Sequence, residues 1–145
     1  MDGMVRAVLE DIAVAGSGEF FVMLLKTAKG EFVPITIGHL EAMSILAGRS
    51  KERLPRPLSH DLMLSALELL GARIVRVEVT DLVTTDEGGT FYARLVLENR
   101  GIELELDARP SDALALAVRV DAPLWVAERV VERAGLSDFT GGAEA

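Results

Sequence analysis

No cysteine occurs in the 145 residues. Disulfides, thiolate nucleophiles and cysteine-ligated zinc are excluded together, so any metal site falls to carboxylates, His39 and His60. Long apolar runs are missing as well. A run such as Phe20 to Leu25 is far short of the roughly 20 residues a membrane-spanning helix needs, and no membrane partner is expected. The N-terminus, MDGMVRAVLEDIAV, lacks the basic start and small-residue cleavage site of a secretory signal, so a cytoplasmic location is the expectation. Bases are in deficit: 15 Lys and Arg face 23 Asp and Glu, a net charge of −8. Nucleic-acid footprints are usually basic, so contact with a polyanion has to be local or bridged by a cation. Aromatic residues are sparse, with one Trp and one Tyr, which argues against an extended base-stacking platform. There is no GxGxxG, GxxxxGK[ST], HExxH or GxSxG, which removes the usual warrants for dinucleotide binding, NTP hydrolysis, zinc proteolysis and serine hydrolysis.

What is present reads as one α+β domain over residues 1–138 with a short tail, 139–145, whose Gly142 to Ala145 end is too small and polar to order itself. Period-two alternation at Val5, Ala7 and Leu9 marks a first strand, followed by strands at Phe20 to Lys26 and Glu31 to Ile37. The second of these is apolar on both faces and belongs inside the sheet. Pro34 places the third at an edge or a bulge. A helix over Leu40 to Ala47 ends at Gly48, and a second, capped by Ser59 and closed by Gly71, turns Leu62, Leu67 and Leu70 to the core. Strands at Ile74 to Leu82, Thr90 to Glu98 and Ile102 to Asp107 follow. Then come a helix capped by Ser111 or Asp112, a strand at Leu124 to Val126 and a brief helix closed by Gly135. The order is βββααβββαβα, a mixed sheet with helices packed on it.

Two segments carry chemistry. In Asp107-Ala108-Arg109-Pro110-Ser111-Asp112, two carboxylates, a guanidinium and free helix N–H groups lie close to a strand end. Asp107 and Asp112 suit a divalent cation such as Mg²⁺ or Mn²⁺, and Arg109, Ser111 and the helix N-terminus suit phosphate. Capping and ion pairing explain the same residue types without any ligand. In Arg56-Pro57-Leu58-Ser59-His60-Asp61, an imidazole and a carboxylate open a helix. Neighbours in sequence do not face each other on a helix, so His60 and Asp61 each need partners from elsewhere. A histidine that only makes a local hydrogen bond is the plainer account. Arg49, Lys51, Arg53 and Arg56 form the one basic cluster, either a phosphate-capturing loop or solvated charge. Glu41 is a better ligand candidate than His39. The alternating Glu103, Glu105 and Asp107 read as the wet side of a strand.

Several stretches together resemble the bifunctional nuclease family. They are Pro34-Ile35-Thr36-Ile37-Gly38 with Glu41-Ala42, Pro55 through Leu62, Phe91-Tyr92-Ala93, Leu106 through Ala113, and Ala122 through Val126. The resemblance implies an α+β fold with a mixed sheet, self-association as a dimer or higher homo-oligomer, and hydrolysis of DNA or RNA. On that reading Asp61, Asp107 and Asp112 hold the metal. His60, Asp61, Arg109 and Asp112 serve catalysis, while Arg56, Arg109 and Ser111 contact the substrate. The alternative is a non-catalytic homo-oligomeric module that binds an anion or a protein. Either way, Arg56, His60 and Asp61 are expected beside Asp107, Arg109 and Asp112, with His60 at the rim.

Overall fold

Turn chemistry sets the plan of the chain. Gly16 and Gly18, Gly30 and the pair Arg100-Gly101 adopt positive φ between consecutive strands, and Gly88 does so as the first residue of a strand. The computed structural model describes residues 2–137, so the expected tail lies outside the described residues. Within them the elements are β1 Met4–Ala15, β2 Phe20–Thr27, β3 Phe32–Ile37, α1 His39–Arg49, α2 Ser59–Leu69, β4 Ala72–Thr85, β5 Gly88–Asn99, β6 Ile102–Ala108, α3 Pro110–Val120, β7 Leu124–Ala127 and α4 Glu128–Ala134. This is the expected βββααβββαβα order.

The strands form one mixed sheet in the order β3-β2-β1-β7-β4-β5-β6. Strand β7 is antiparallel to β1 and parallel to β4, which joins the two meanders of the chain into a single sheet. Both β2 and β5 are interior, and β3, with Pro34, is an edge strand. Val22 to Leu25 are all buried, as a run apolar on both faces requires. The core gathers Met23, Leu25, Val33, Ile35, Val77, Val79, Leu95 and Val126 from the sheet and Ile45, Leu114, Leu116 and Val130 from the helices.

Four local expectations are corrected. Gly48 does not stop α1; it is buried inside the helix, where a Cβ would lie 2.4 Å from Arg119 Nη1. Its missing side chain is what lets that guanidinium through. The N-cap of α2 is Leu58 rather than Ser59, and the Leu58 N–H donates to Asp61 Oδ2 at 2.9 Å. The N-cap of α3 is Arg109, with Pro110 in the first turn, rather than Ser111 or Asp112. Most telling, α2 has no buried residue: Leu62 is 64% and Leu70 76% exposed, and only Leu64 and Leu67 lean on the core. Apolar residues ring this helix, so the pattern misidentified the inward side.

Candidate functional site

Helix geometry brings the two proline-led segments together. On α3, Asp112 and Arg119 are seven residues apart, two turns along one face. On α1, Glu41, Ser44 and Gly48 share a face by the same three- and four-residue spacing. Helix α2 adds His60 and Asp61 from its first turn. Together they form a continuous chain of polar contacts.

His60 is its centre. Its Nε2 lies 2.8 Å from Asp112 Oδ1, and its Nδ1 lies 2.6 Å from the Ser44 hydroxyl. Asp112 accepts on its other oxygen from Arg109 Nε at 3.0 Å, and Arg109 Nη1 reaches Glu41 Oε2 at 3.5 Å. On the opposite side, Arg119 donates to Asp61 Oδ1 at 2.7 Å, to the Ala115 and Ser44 carbonyls, and to the Ser44 hydroxyl at 3.4 Å. The order of contacts is Asp61, Arg119, Ser44, His60, Asp112, Arg109, Glu41. The Arg119 side chain is 6% exposed and that of His60 12%, while Arg109 is largely in solvent. His60 is therefore enclosed rather than at the rim, and the chain opens to water at its Arg109 end.

Electrostatics follow from these bonds. Burial pushes the Asp112 carboxyl up, but the hydrogen bonds from Arg109 and His60 outweigh it and hold the group below the usual carboxylate range. The Arg119 hydrogen bond does the same for Asp61. Both are anionic at neutral pH. The serine, histidine and aspartate superficially resemble a nucleophilic triad, yet the serine is the buried end. Ser44 orients the ring from within, and the accessible groups are Asp112 and Arg109.

Beside the open end lies a groove of about 570 Å³ between the β3–α1 turn, the start of β5 and the N-terminus of α3. Thr36, Gly38, Glu41, Phe91, Arg109 and Ser111 are among its lining residues.

The remaining candidates are placed elsewhere. Asp107 sits on β6 opposite Arg94 and lines a different hollow with Asp81, Tyr92 and Arg129. Asp61 is engaged by Arg119 rather than by the acids of α3. Among the described residues no three His, Asp or Glu side chains are grouped as cation ligands. Both Asp112 oxygens face hydrogen-bond donors. Among the described residues, Asp61, Asp107 and Asp112 thus do not come together as a cation set. In the basic loop, Arg49 bonds the Glu10 carbonyl, and Lys51 bonds the Val118 and Arg119 carbonyls and Asp121 at the far end of α3. Arg56 is exposed. Glu103 and Glu105 face solvent and pair with Arg76 and Arg94, arginines that also hold the fully buried Glu78.

Sequence reading missed Ser44 and Arg119. The spacing of Glu41, Ser44 and Gly48 was the available signal for the first; nothing local distinguishes Arg119 from other last-turn arginines.

The comparisons with known proteins bear on the same residues. An uncharacterized protein of Mycobacterium tuberculosis is 40% identical over 116 residues, which is 79% of this chain and 66% of that protein. Bifunctional nuclease 1 of Oryza sativa subsp. japonica is 30% identical over 125 residues, 83% of this chain and 37% of the plant protein. Bifunctional nuclease 2 of Arabidopsis thaliana is 25% identical over 126 residues, covering 36% of its length. The chain thus spans just under two thirds of the mycobacterial relative and little more than a third of the plant ones. The family model for the bifunctional nuclease domain matches residues 22–138, from β2 through the whole polar chain of α1, α2 and α3 and on to the end of α4. This chain belongs to the bifunctional nuclease domain family.

Proposed function

We propose that this domain hydrolyses phosphodiester bonds of DNA or RNA at the His60–Asp112–Arg109 end of the polar chain. The observation that carries the reading is the 2.8 Å contact between His60 Nε2 and Asp112 Oδ1, which joins residues 52 apart in sequence from two proline-led helix starts. A satisfied core histidine needs no guanidinium at its mouth; this one has Arg109 on the outer oxygen of its aspartate. A phosphodiester drawn to Arg109 competes with Asp112 for the guanidinium and frees the outer carboxylate oxygen to face the attacking water. Asp112, held in place by His60, takes a proton from that water as the new P–O bond forms; the old P–O bond breaks, and the departing oxygen takes a proton from solvent. Asp112 then releases its proton to solvent. Arg56, on the exposed loop before α2, supplies a second phosphate contact. No step is routed through a metal, because the donor set does not fit one. A dependence on Mg²⁺ or Mn²⁺ would enter with the substrate's phosphates.

The test is cleavage of single-stranded and duplex substrates by the wild type, His60→Ala and Asp112→Ala, each with Mg²⁺, with Mn²⁺ and with EDTA. Both variants should lose at least about 100-fold, the usual scale of general acid–base assistance. An inactive wild type, or an undiminished His60→Ala, would overturn the reading.

The second reading, a homo-oligomeric binding module, is favoured by a different observation. Leu62, Met63, Leu69 and Leu70 on α2 and Leu40, Met43 and Leu46 on α1 are exposed, an apolar surface of the kind a partner covers. A second copy of the chain is the occupant proposed, since isologous helix-on-helix contact buries the same stripe twice. A monomeric mass at micromolar concentration would exclude it.

A further inference from the structure

We propose that the groove at the N-terminus of α3 seats one nucleotide unit of a single strand, its phosphate on Ser111 and the first-turn N–H groups of α3, its base against Phe91. The proposal rests on the phosphodiester reading above and gives its substrate a form.

Three observations support it. Ser111 is 5% exposed, yet its hydroxyl bonds to no described residue. Ser111 is among the residues that line the groove. A nearly buried hydroxyl at the wall of a groove is a donor available to a ligand. Second, α3 starts there with no side-chain cap, so the Ser111 and Asp112 N–H groups keep the unpaired donors and positive dipole end that suit an anion. Arg109, at the N-cap, puts a cation over the same point. Third, Thr90 and Phe91 from the start of β5, with Thr36 and Gly38 from the end of β3, line the same groove. Aromatic surface beside a phosphate seat is the arrangement by which single-stranded nucleic acid is held, because every base offers a π-face. The volume of about 570 Å³ is in the range of sites for small organic ligands, the size of one nucleotide rather than of a duplex segment. Glu41, at the same mouth, sets a limit: its carboxylate repels further phosphates and favours one nucleotide at this point rather than a run of them.

Binding is measured on the full chain with four probes: inorganic phosphate, uridine monophosphate, a deoxythymidine hexamer and a blunt duplex, using the wild type, Ser111→Ala and Phe91→Leu. Leucine keeps the bulk that packs on the core and removes the aromatic face. Ser111→Ala should weaken phosphate and the monophosphate alike by about tenfold, the scale of one hydrogen bond to a charged group. Phe91→Leu should weaken the monophosphate and the hexamer by about tenfold, the scale of one stacked base, and leave phosphate unchanged. The duplex should not compete. Unchanged phosphate affinity in Ser111→Ala, unchanged hexamer affinity in Phe91→Leu, or monophosphate binding without hexamer binding would each overturn the proposal. The hydrolytic reading fails separately: hexamer binding as described with no cleavage sinks hydrolysis and spares the groove. His60-dependent cleavage with wild-type binding in both variants does the reverse.

Discussion

Helices α2 and α3 are each eleven residues long, each has a proline at or just before its start, and each brings one partner to the His60–Asp112 contact, yet they are held in opposite ways. Helix α3 buries Pro110, Ser111 and every residue from Ala113 to Ala117; α2 buries none. The difference is side-chain size more than polarity. Ala113, Ala115 and Ala117 let α3 sink against the sheet while Leu114 and Leu116 fill the core on either side. The leucines of α2 stand it off, and half of them face outward. A site built across the pair has one rigid wall and one wall fastened chiefly through polar rungs, His60 to Asp112 and Asp61 to Arg119. A wall fastened in this way can open locally without disturbing the core.

The comparison breaks first at packing. Leu116→Ala on α3 should cost about 3 kcal/mol, the usual range for emptying a full leucine site. Leu69→Ala on α2, where the leucine is 87% exposed, should change stability by less than about 0.5 kcal/mol in dilute solution. If α2 is covered by a second copy, the same substitution will flatten the dependence of Tm on protein concentration. Urea denaturation reads the first, and thermal unfolding at two protein concentrations reads the second. Equal costs for the two leucines would mean that α2 is packed as α3 is.

The polar rungs come next. Arg119→Met keeps the length but leaves the Ala115 and Ser44 carbonyls and Asp61 without their donor, at a cost of about 2 kcal/mol. Because Ser44 orients His60, the variant should also lower the turnover of any His60-dependent reaction while leaving KM little changed. Loss of stability with unaltered turnover would reduce Arg119 to a clamp.

The contrast also explains what was legible in the residues. Element order was readable because the turns carry their own chemistry, in Gly30, Gly88 and Gly101, and because β2 is apolar on both faces. The inward side of α2 was not, since Leu64 and Leu67 oppose Leu62, Met63, Leu69 and Leu70 around one helix, and periodicity does not say which side meets the chain's own core. The approach of the two helix starts is expected from the proline turns that open both, but that expectation pairs arginines with aspartates and leaves His60 at the rim, whereas His60 itself bonds Asp112. Asp107 was misplaced because strand alternation turns it to the β5–β6 face, while the helix after it turns Asp112 towards α2. Ser44 and Arg119 act across α1, α2 and α3, a relation that no short window of sequence contains.

Acid should loosen the two helices unequally. Hydrogen bonds from arginine hold Asp61 below its ordinary value, and Arg109 and His60 do so for Asp112 against the opposing effect of burial. A depressed carboxyl contributes its stability in full above the unfolded value of about 4 and loses it as pH falls through the lower folded value. Both rungs should therefore hold down to about pH 4 and fail below it. Hydrogen exchange at successively lower pH should show α2 amides losing protection before those of α3. Simultaneous loss would mean that the rungs do not fasten α2 independently of the core.

The smallest effect separates two ways of starting a helix. An N-cap serine accepts from a first-turn N–H, and its replacement by alanine costs about 1 kcal/mol. Ser59 occupies the first helical position instead, and the cap is Leu58, whose backbone N–H is taken by Asp61 Oδ2 at 2.9 Å. The start of α2 thus rests on the same carboxylate that binds Arg119 through its other oxygen. Ser59→Ala should then change stability by no more than about 0.5 kcal/mol, as for an ordinary surface position. Asp61→Ala, which loses a cap contact and a rung at once, should cost more than the cap alone. Chemical denaturation of the two variants measures the difference. If Ser59→Ala costs as much as Asp61→Ala, the hydroxyl is capping in solution, and α2 begins in the way its sequence suggests rather than through the contact that ties it to α3.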